Sequence, residues 1–330
     1  MIKQHSNIKL IHIVDGVDIK YNDWEENKET LFAFDSNNTF MQKFTFPCDI
    51  HSDRISNLID GCYNNVVVDE NCLLYYSFHY QISFAHYVSQ CLPKLKYVID
   101  DPSLKIVIPR STYTSMCREM LDIFDIREDR IIMLDDNILY NFKNLYTIDN
   151  IYHAPGGNVH QDVVYVCSKI RSKLNINKSN PYRKVYLKKD GIVNVDFNNT
   201  EVGISRKIVN ESEIISFLES NGFEIINLGD KTMSEKADLM KDIKVLITQL
   251  GANCMNFVFA NGIEKCLVLS NDRPVGVDYY INISHMLTGT HINYNMIKYP
   301  SIDINTDPKN STNSPFYVNM DDIVNYVRSI

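Results

Sequence analysis

The second half of the chain alternates short β-branched or aromatic runs with helical patterns, and this alternation limits the possible folds more than any other feature. The five runs are residues 184–188, 223–228, 244–249, 265–270 and 291–297. Strands that alternate with helices in this way predict a parallel sheet covered on both faces, a Rossmann-like domain.

Helix-start signals support this interpretation. Asn210 with Glu213, and Thr232 with Glu235, have the spacing of a capping box, in which each side chain satisfies a free backbone N–H group. Further helices are predicted to begin near residue 251, to span 278–287, and to run from 319 to the last residue.

The first half is less regular but of the same kind. Strands are predicted at 66–68, 73–77, 106–108, 131–134 and 145–148, and helices at 86–99, 114–124 and 159–174. The polar, Asn-rich stretch 175–181 ends in a proline, which favours a domain boundary there. The sequence therefore predicts two Rossmann-like, doubly wound α/β domains, 1–178 and 179–330, facing a cleft.

Composition excludes several classes of protein. Apolar residues make up 45% and charged residues 22%, as in globular domains, and the net charge of −8 disfavours nucleic acid as a partner. No apolar run reaches the ~20 residues of a membrane span, and the first residues lack the pattern of a signal peptide. Eight scattered cysteines without a Cys-x-x-Cys pair indicate reduced, buried thiols. We therefore expect a cytoplasmic protein.

Several common motifs are absent from the sequence. It contains no dinucleotide-binding Gly-x-Gly-x-x-Gly, no phosphate-binding loop with Gly-Lys-Ser/Thr, no Gly-x-Ser-x-Gly and no His-Glu-x-x-His. Asp-x-Asp, which holds a divalent metal in single-domain sugar-nucleotide transferases, is also absent. These absences leave two-domain enzymes that bind an anionic nucleotide through backbone amides and basic side chains.

Three segments can supply such binding. Residues 84–95 carry His86 at the expected start of an amphipathic helix. Residues 205–211 place Arg206 just before a helix N-terminus, where free N–H groups and the helix dipole attract a pyrophosphate. Residues 247–259 turn from a buried strand into a helix at Gly251-Ala252, where small residues let a ligand approach the backbone at the carboxyl end of the sheet.

The order of these motifs resembles glycosyltransferase family 61, the DUF563-type enzymes of capsule and glycan synthesis. The resemblance rests on His-aromatic-x-x-x-x-Leu-Pro-x-Leu, Arg-x-x-x-Asn-Glu before a helix, Gly-Phe-Glu, and Gly-Ala-x-x-x-Asn-x-x-Phe, between Phe84 and Ser270. It implies a GT-B-type fold with an N-terminal acceptor-side domain and a C-terminal nucleotide-sugar-binding domain. It also implies inverting transfer, without metal or cofactor, by a hexosyl- or pentosyltransferase.

The resemblance also assigns roles to residues of this chain. His86 would be the catalytic base, since the ordinary histidine pKa of about 6.5 suits that work. The donor-binding residues would be Lys188, Arg206, Asn210, Glu211, Gly251, Ala252 and Asn256. Each has a plainer alternative: a packing histidine, an exposed loop arginine, an N-cap for Asn210, an acidic first turn for Glu211, close packing at the glycine, or local hydrogen bonding for Asn256.

Three positions depart from the family pattern. Gln90 stands where the family often has a carboxylate, Leu250 where it has a histidine, and Lys188 where it has an arginine. Since Gln90 and Leu250 each remove an ionisable group, a second hypothesis is an inactive glycan- or nucleotide-binding protein on a GT-B scaffold. A GT-B epimerase or phosphorylase is a third, which no particular residue supports.

The leading hypothesis also names partners. The donor would be a nucleotide sugar and the acceptor a hydroxyl of a polysaccharide or lipid-linked glycan. Nucleic acid is not expected. Membrane contact would be peripheral at most, at the inner face of the membrane.

Overall fold

A computed structural model of the protein divides into two compact units, Met1–Tyr152 and His153–Ile330. The structure describes residues 2–14, 29–37, 62, 64–76, 84–110, 113–148, 158–176, 180–189, 207–272, 277–302 and 315–330. Arg206 lies outside these residues, so the prediction of its phosphate-binding role is left untouched by the structure.

The first unit contains a six-stranded sheet in the order β2-β1-β6-β3-β4-β5. Its strands are β1 (Ile2–Val14), β2 (Glu29–Phe34), β3 (Asn64–Leu74), β4 (Lys105–Pro109), β5 (Ile131–Leu134) and β6 (Ile138–Ile148). Strands β3 to β6 pair in parallel, as the sequence predicts. The separate strands expected at 66–68 and 73–77 are one strand, β3, with a register irregularity between Val68 and Asn71.

Strands β1 and β2 were not predicted, and they make the first sheet mixed. Strand β1 pairs antiparallel with both β2 and β6. The expectation that the first half simply repeats the parallel alternation of the second is therefore wrong for these two strands. The start of β1 is polar and exposed, and Asn7 has a left-handed φ of 54°, so its sequence carries little strand pattern.

Residues 84–100 form a composite helix in the first unit. It comprises α1 (Phe84–His86), a π-helical turn (Tyr87–Cys91), a 3-10 turn (Leu92–Lys94) and α2 (Leu95–Asp100). Pro93 lies in the 3-10 turn, where its missing N–H removes no α-helical bond. Two further helices follow in this unit: α3 (Ser115–Ile123), close to the predicted 114–124, and a 3-10 turn (Glu128–Arg130).

The second unit contains an all-parallel five-stranded sheet in the order β11-β10-β9-β7-β8. The strands are β7 (Arg183–Lys188), β8 (Glu224–Asn227), β9 (Ile243–Gln249), β10 (Lys265–Asn271) and β11 (Asn293–Tyr299). The helices are α4 (Gln161–Lys173), α5 (Glu211–Ser220), α6 (Met233–Met240), a 3-10 helix (Ala252–Phe259), α7 (Asp278–Thr288) and α8 (Met320–Arg328). All five predicted strands of this half are confirmed.

Helices cover both faces of this parallel sheet. On one face, α5 and α8 bury apolar side chains against β7, β9 and β10 in a single cluster that includes Ile214, Leu218, Ile323 and Tyr186. The 3-10 helix packs with α4, α6 and α7 outside that cluster. This arrangement confirms a doubly wound α/β unit for the second half of the chain.

Helix α4 belongs to the second unit by its contacts, whereas the sequence boundary at 178 places it in the first. The buried Arg171 donates hydrogen bonds to the carbonyl oxygens of Val258 (2.8 Å) and Ala260 (2.7 Å) and to Oδ1 of Asn261 (2.9 Å). Burial lowers the pKa of its guanidinium. A polar linker pattern such as 175–181 cannot reveal a bond network of this kind.

Of the two predicted capping boxes, one is confirmed and one is wrong. Thr232 and Glu235 form the predicted capping box at α6. At α5, however, the Asn210 side chain makes no capping hydrogen bond. None of the helices in the described parts of the chain is long and apolar enough to span a bilayer.

Candidate functional site

The order of the second sheet creates a switch point between β7 and β9. From β7 the chain continues outward to β8, and from β9 it continues in the opposite direction to β10. The connections therefore diverge from the carboxyl ends of these two strands, and in open α/β sheets this is the position where ligands bind.

Two of the predicted donor-binding residues, Lys188 and Gly251, lie at this switch point. Lys188 is the last residue of β7, and Gly251 follows the end of β9. The Asn253 side chain joins them, because its Nδ2 donates to the Lys188 carbonyl oxygen at 3.1 Å. Lys188, Gly251 and Ala252 are all half-buried rather than covered.

The corner at Gly251 requires a glycine. Its φ of 149° lies in a region that residues with a Cβ rarely adopt, and the 3-10 helix begins at the next residue, Ala252. The turn is fixed on one side by the Leu250 N–H, which donates to the Leu269 carbonyl at 2.9 Å. The free N–H groups of this helix start therefore lie at the carboxyl edge of the sheet.

Helix α5 also begins near the end of β7. The buried Tyr186 hydroxyl donates to Oε1 of Glu211, the first residue of α5, at 2.9 Å. Burial, and secondly the Glu211 carboxylate, raise the pKa of Tyr186 well above its ordinary value, so the hydroxyl stays a donor. Because alternate residues of a strand share a face, Lys188 lies on the same face of the sheet as Tyr186.

The Asn210 side chain is hydrogen-bonded to the backbone of Val318. Its Oδ1 accepts from the Val318 N–H (3.0 Å) and its Nδ2 donates to the Val318 carbonyl (2.9 Å). The neighbouring Ile208 and Phe316 form a parallel bridge, so the segment before α8 is paired with the segment before α5. The Asn210 side chain thus ties two chain segments together, and its donor-binding role stays a prediction.

Asn256 is 3% exposed and lies within the 3-10 helix. Its Nδ2 donates to the Asn253 carbonyl at 3.1 Å, and its Oδ1 is buried without a hydrogen-bond partner among the described residues. The helix here is 3-10 rather than the α-helix that the sequence suggests. Local hydrogen bonding therefore accounts for one end of the amide, and donor binding by the other end stays a prediction.

The predicted base, His86, belongs to the first unit. It ends α1, is half-buried, and lies 2.8 Å from Gln90, measured from its Nδ1 to Nε2 of that glutamine. Gln90 is buried in the π-helical turn. Leu250, the other departure from the family pattern, is 1% exposed and packs as an apolar residue at the end of β9.

Sequence reasoning missed Asn253 and Tyr186, which connect the site's segments. Both lie in predicted elements, but their partners, the Lys188 carbonyl and Glu211, are 65 and 25 residues away. Among the described residues, no group of three His, Cys, Asp or Glu side chains could hold a metal ion.

The second unit is a doubly wound α/β unit with half-buried basic and glycine residues at its switch point. Proteins of this fold class bind ligands at the carboxyl edge of the sheet. The Glycosyltransferase 61 family matches residues 84–267, which is more than half of the chain. The protein therefore belongs to the Glycosyltransferase 61 family, and membership supports transferase activity. A search of curated proteins gave no match.

Proposed function

We propose that this protein transfers a hexose or pentose from a nucleotide-diphosphate sugar to a hydroxyl group of a glycan. The observation that carries the proposal is the meeting of Lys188 with the Gly251 corner at the switch point, connected through Asn253. It brings a cation and free backbone N–H groups to the sheet edge where open α/β folds bind ligands.

The chemistry at this edge suits a diphosphate leaving group. Negative charge develops on the diphosphate as the bond to the sugar breaks, and donors fixed in advance stabilise that charge. The N–H groups at the start of the 3-10 helix, those at the start of α5 and the ammonium of Lys188 are such donors. Arg206, which precedes α5 in sequence, would add a guanidinium, and no metal ion would be needed.

The Glu211 carboxylate would not bind phosphate, because like charges repel. Held by Tyr186 at 2.9 Å, it is oriented instead to accept a hydrogen bond from a neutral donor. The ribose or sugar hydroxyls of the donor are groups of that kind.

In the proposed reaction, His86 accepts the proton of the acceptor hydroxyl while the hydroxyl oxygen attacks the anomeric carbon. The new C–O bond forms on the face opposite the breaking bond to phosphate, whose electron pair leaves with the nucleoside diphosphate. The configuration is thereby inverted. The proposal includes a GT-B fold, in which the first unit would supply the base and the second unit the phosphate-binding residues.

The wider setting is also part of the proposal. We expect the acceptor to be a polysaccharide, such as a capsular one, or a lipid-linked glycan. The reaction would take place in the cytoplasm at the inner face of the membrane. The net charge of −8 disfavours nucleic acid as a partner.

Calorimetric titration with UDP, GDP and dTDP, with and without EDTA, tests the donor site. We expect binding that EDTA does not abolish. The Lys188→Ala variant should bind at least about tenfold more weakly, because a charge-assisted hydrogen bond contributes about 1.5–3 kcal/mol.

Lys184→Ala is the matched control. Lys184 lies at the other end of the same strand, with its Nζ 5.8 Å from the centre of the Phe223 ring. Its removal should leave the dissociation constant within about twofold, because its charge is far from the carboxyl edge. Equal loss in both variants, or binding that needs a metal, would overturn the proposed site.

The second candidate function is non-catalytic nucleotide or glycan binding. It is favoured by the neutral Gln90 and the buried Leu250 at positions where the family carries ionisable groups. Hydrolysis of a bound nucleotide sugar discriminates the two: turnover that His86→Ala abolishes supports the enzyme, and tight binding without turnover supports the alternative.

A further inference from the structure

Two exposed histidines, His285 and His291, form a pair at one edge of the second unit. His285 lies in the last turn of α7, and His291 lies two residues before β11. Their ring centroids are 5.9 Å apart, and the ring planes are tilted by 59°. Because β11 starts here, the pair lies at the amino edge of the sheet, opposite to the carboxyl edge where β7 and β9 end.

The turn between α7 and β11 carries both rings on an ordered backbone. Gly289 ends the helix in the left-handed conformation (φ 72°), and its N–H donates to the His285 carbonyl at 2.8 Å. The next N–H, that of Thr290, donates to Oγ1 of Thr288 at 3.1 Å. Ile292, just after the turn, is 1% exposed. Hydrogen bonds on one side and burial on the other therefore hold the turn in place.

A backbone carbonyl fixes the tautomer of His285. Its Nδ1 lies 3.3 Å from the carbonyl oxygen of Thr290. A carbonyl oxygen can only accept, so Nδ1 of the neutral ring carries the proton and the lone pair lies on Nε2. Histidines that bind metal ions are commonly oriented in this way, by an N–H that donates to a backbone carbonyl. No hydrogen bond to another described residue occupies a ring nitrogen of His291.

We propose that His285 and His291 together bind one divalent transition-metal ion, of the class of Zn²⁺, Ni²⁺ and Cu²⁺, for which imidazole is a suitable ligand. Two imidazoles that share an ion through bonds of about 2.0–2.1 Å have ring centroids roughly 5–6 Å apart, and the observed separation is 5.9 Å. Turning the His291 ring toward the ion would break no hydrogen bond to the described residues.

The surroundings of the pair also favour a cation. The end of α7, an 11-residue helix, carries partial negative charge from its last carbonyl groups. Within the described ranges, no group of three His, Cys, Asp or Glu side chains forms a metal site, so water would fill the remaining coordination positions. The ion would tie the end of α7 to the start of β11.

This site is separate from the proposed donor site, because the two lie at opposite edges of the same sheet. The proposed sugar transfer uses no metal ion, so the ion at the histidine pair would have no part in that reaction. Removal of the ion should therefore leave nucleoside diphosphate binding unchanged.

Calorimetric titration of the tag-free, full-length protein with Zn²⁺ at about pH 7.5, where an ordinary histidine is neutral, tests the site. His285→Asn and His291→Asn should each weaken Zn²⁺ binding at least about tenfold, because each removes a ligand. In the double variant the loss of binding free energy should be smaller than the sum of the two single losses, because the ligands of one ion act together.

His160→Asn is the matched control. His160 is another exposed histidine of the second unit, and its Nδ1 accepts from the Asp162 N–H at 3.2 Å at the start of α4. Asparagine is a good N-cap, so this variant loses an imidazole and keeps the helix start. Its Zn²⁺ affinity should equal that of the wild type.

Electron paramagnetic resonance of the Cu²⁺-loaded protein provides the second measurement. The wild-type spectrum should show hyperfine coupling to two imidazole nitrogens, and the spectrum of either single variant to one at most. If a variant does not fold, the wild-type spectrum still decides, because a pair that does not share an ion cannot give two coupled nitrogens.

Three results would overturn the proposal: Zn²⁺ affinity that either single variant leaves unchanged, an equal loss in His160→Asn, or a wild-type Cu²⁺ spectrum without two coupled nitrogens. Titration of the two single variants with UDP checks that the site is separate. A fall in UDP affinity equal to the fall in Zn²⁺ affinity would contradict the placement of the metal ion away from the donor site.

Discussion

Replacement of Asn210 by aspartate distinguishes a helix cap from a bridge between two chain segments. As an N-cap, asparagine and aspartate are nearly equivalent, so Asn210→Asp would change stability little. In the structure, however, the amide both accepts from the Val318 N–H (3.0 Å) and donates to the Val318 carbonyl (2.9 Å). A carboxylate can make only the first of these bonds.

The cost follows from that geometry. Val318 is fully buried, so its carbonyl would lose its Asn210 donor and face a negative charge. An unsatisfied buried group costs about 1–3 kcal/mol, and the charge adds to this, so we expect a loss of at least about 2 kcal/mol. With a urea m-value of about 2 kcal/mol/M, the unfolding midpoint should fall by about 1 M.

Asn221→Asp is the matched control for this measurement. Asn221 ends the same helix, and its Nδ2 donates to the Phe217 carbonyl at 2.8 Å, but it is exposed. Water can replace that bond, so the loss should stay below about 1 kcal/mol. Equal losses in the two variants, or a neutral Asn210→Asp, would refute the bridge.

Two further predictions concern a backbone position and the buried thiols. Gly251→Ala should lower the free energy of unfolding by about 1–3 kcal/mol, because of the positive φ at this position, and should weaken nucleoside diphosphate binding. Gly289→Ala is the control, since Gly289 also has a positive φ (72°) but precedes β11 at the opposite edge of the sheet. This variant should lose stability but keep its affinity in the same titration. Burial raises the pKa of Cys72, Cys117 and Cys167 to about 12, so at pH 8 a thiol reagent should leave them unmodified until urea unfolds the chain. The unfolded thiols ionise near their ordinary pKa of 9.0, so the free energy of unfolding should fall as pH rises from about 9 to 12; a flat pH dependence in urea melts would contradict this.

The second unit was predictable largely because its central strands, β7, β9 and β10, are buried on both faces. Such strands read as short continuous apolar runs, and β7 to β11 all lie within two residues of their predicted positions. The Thr232 capping box was visible for a related reason: its two partners are three residues apart. Structural features that depend on a few neighbouring residues can be predicted from the sequence.

Contacts between distant residues explain what could not be predicted. The spacing of Asn210 and Glu213 suggests a capping box. In the structure, however, the Asn210 amide is hydrogen-bonded to Val318, which lies 108 residues further along the chain. Arg171 similarly fixes α4 to the second unit through carbonyls near residue 260. Neither bond leaves a local signature.

The candidate site was predicted in part. Gly251 and Ala252 were expected at the carboxyl end of the sheet, and the structure places them there, next to the end of β7 at Lys188. The strand order that makes this edge a switch point, and the role of Asn253, depend on pairing that sequence patterns do not encode. The π-helical turn that carries Gln90 also has no sequence motif by which it was identified.

The antiparallel pairing of β1 with β6 affects how the chain is made. Ile2 pairs with Ile148, so β1 leaves the ribosome well before β6, its inner neighbour in the sheet, has been synthesised. At about 5–20 residues per second this delay is on the order of ten seconds, during which β2 is already available to pair with the other edge of β1. An unpaired strand edge is where chains associate wrongly, so the yield of native protein should depend on how fast translation proceeds between these two strands.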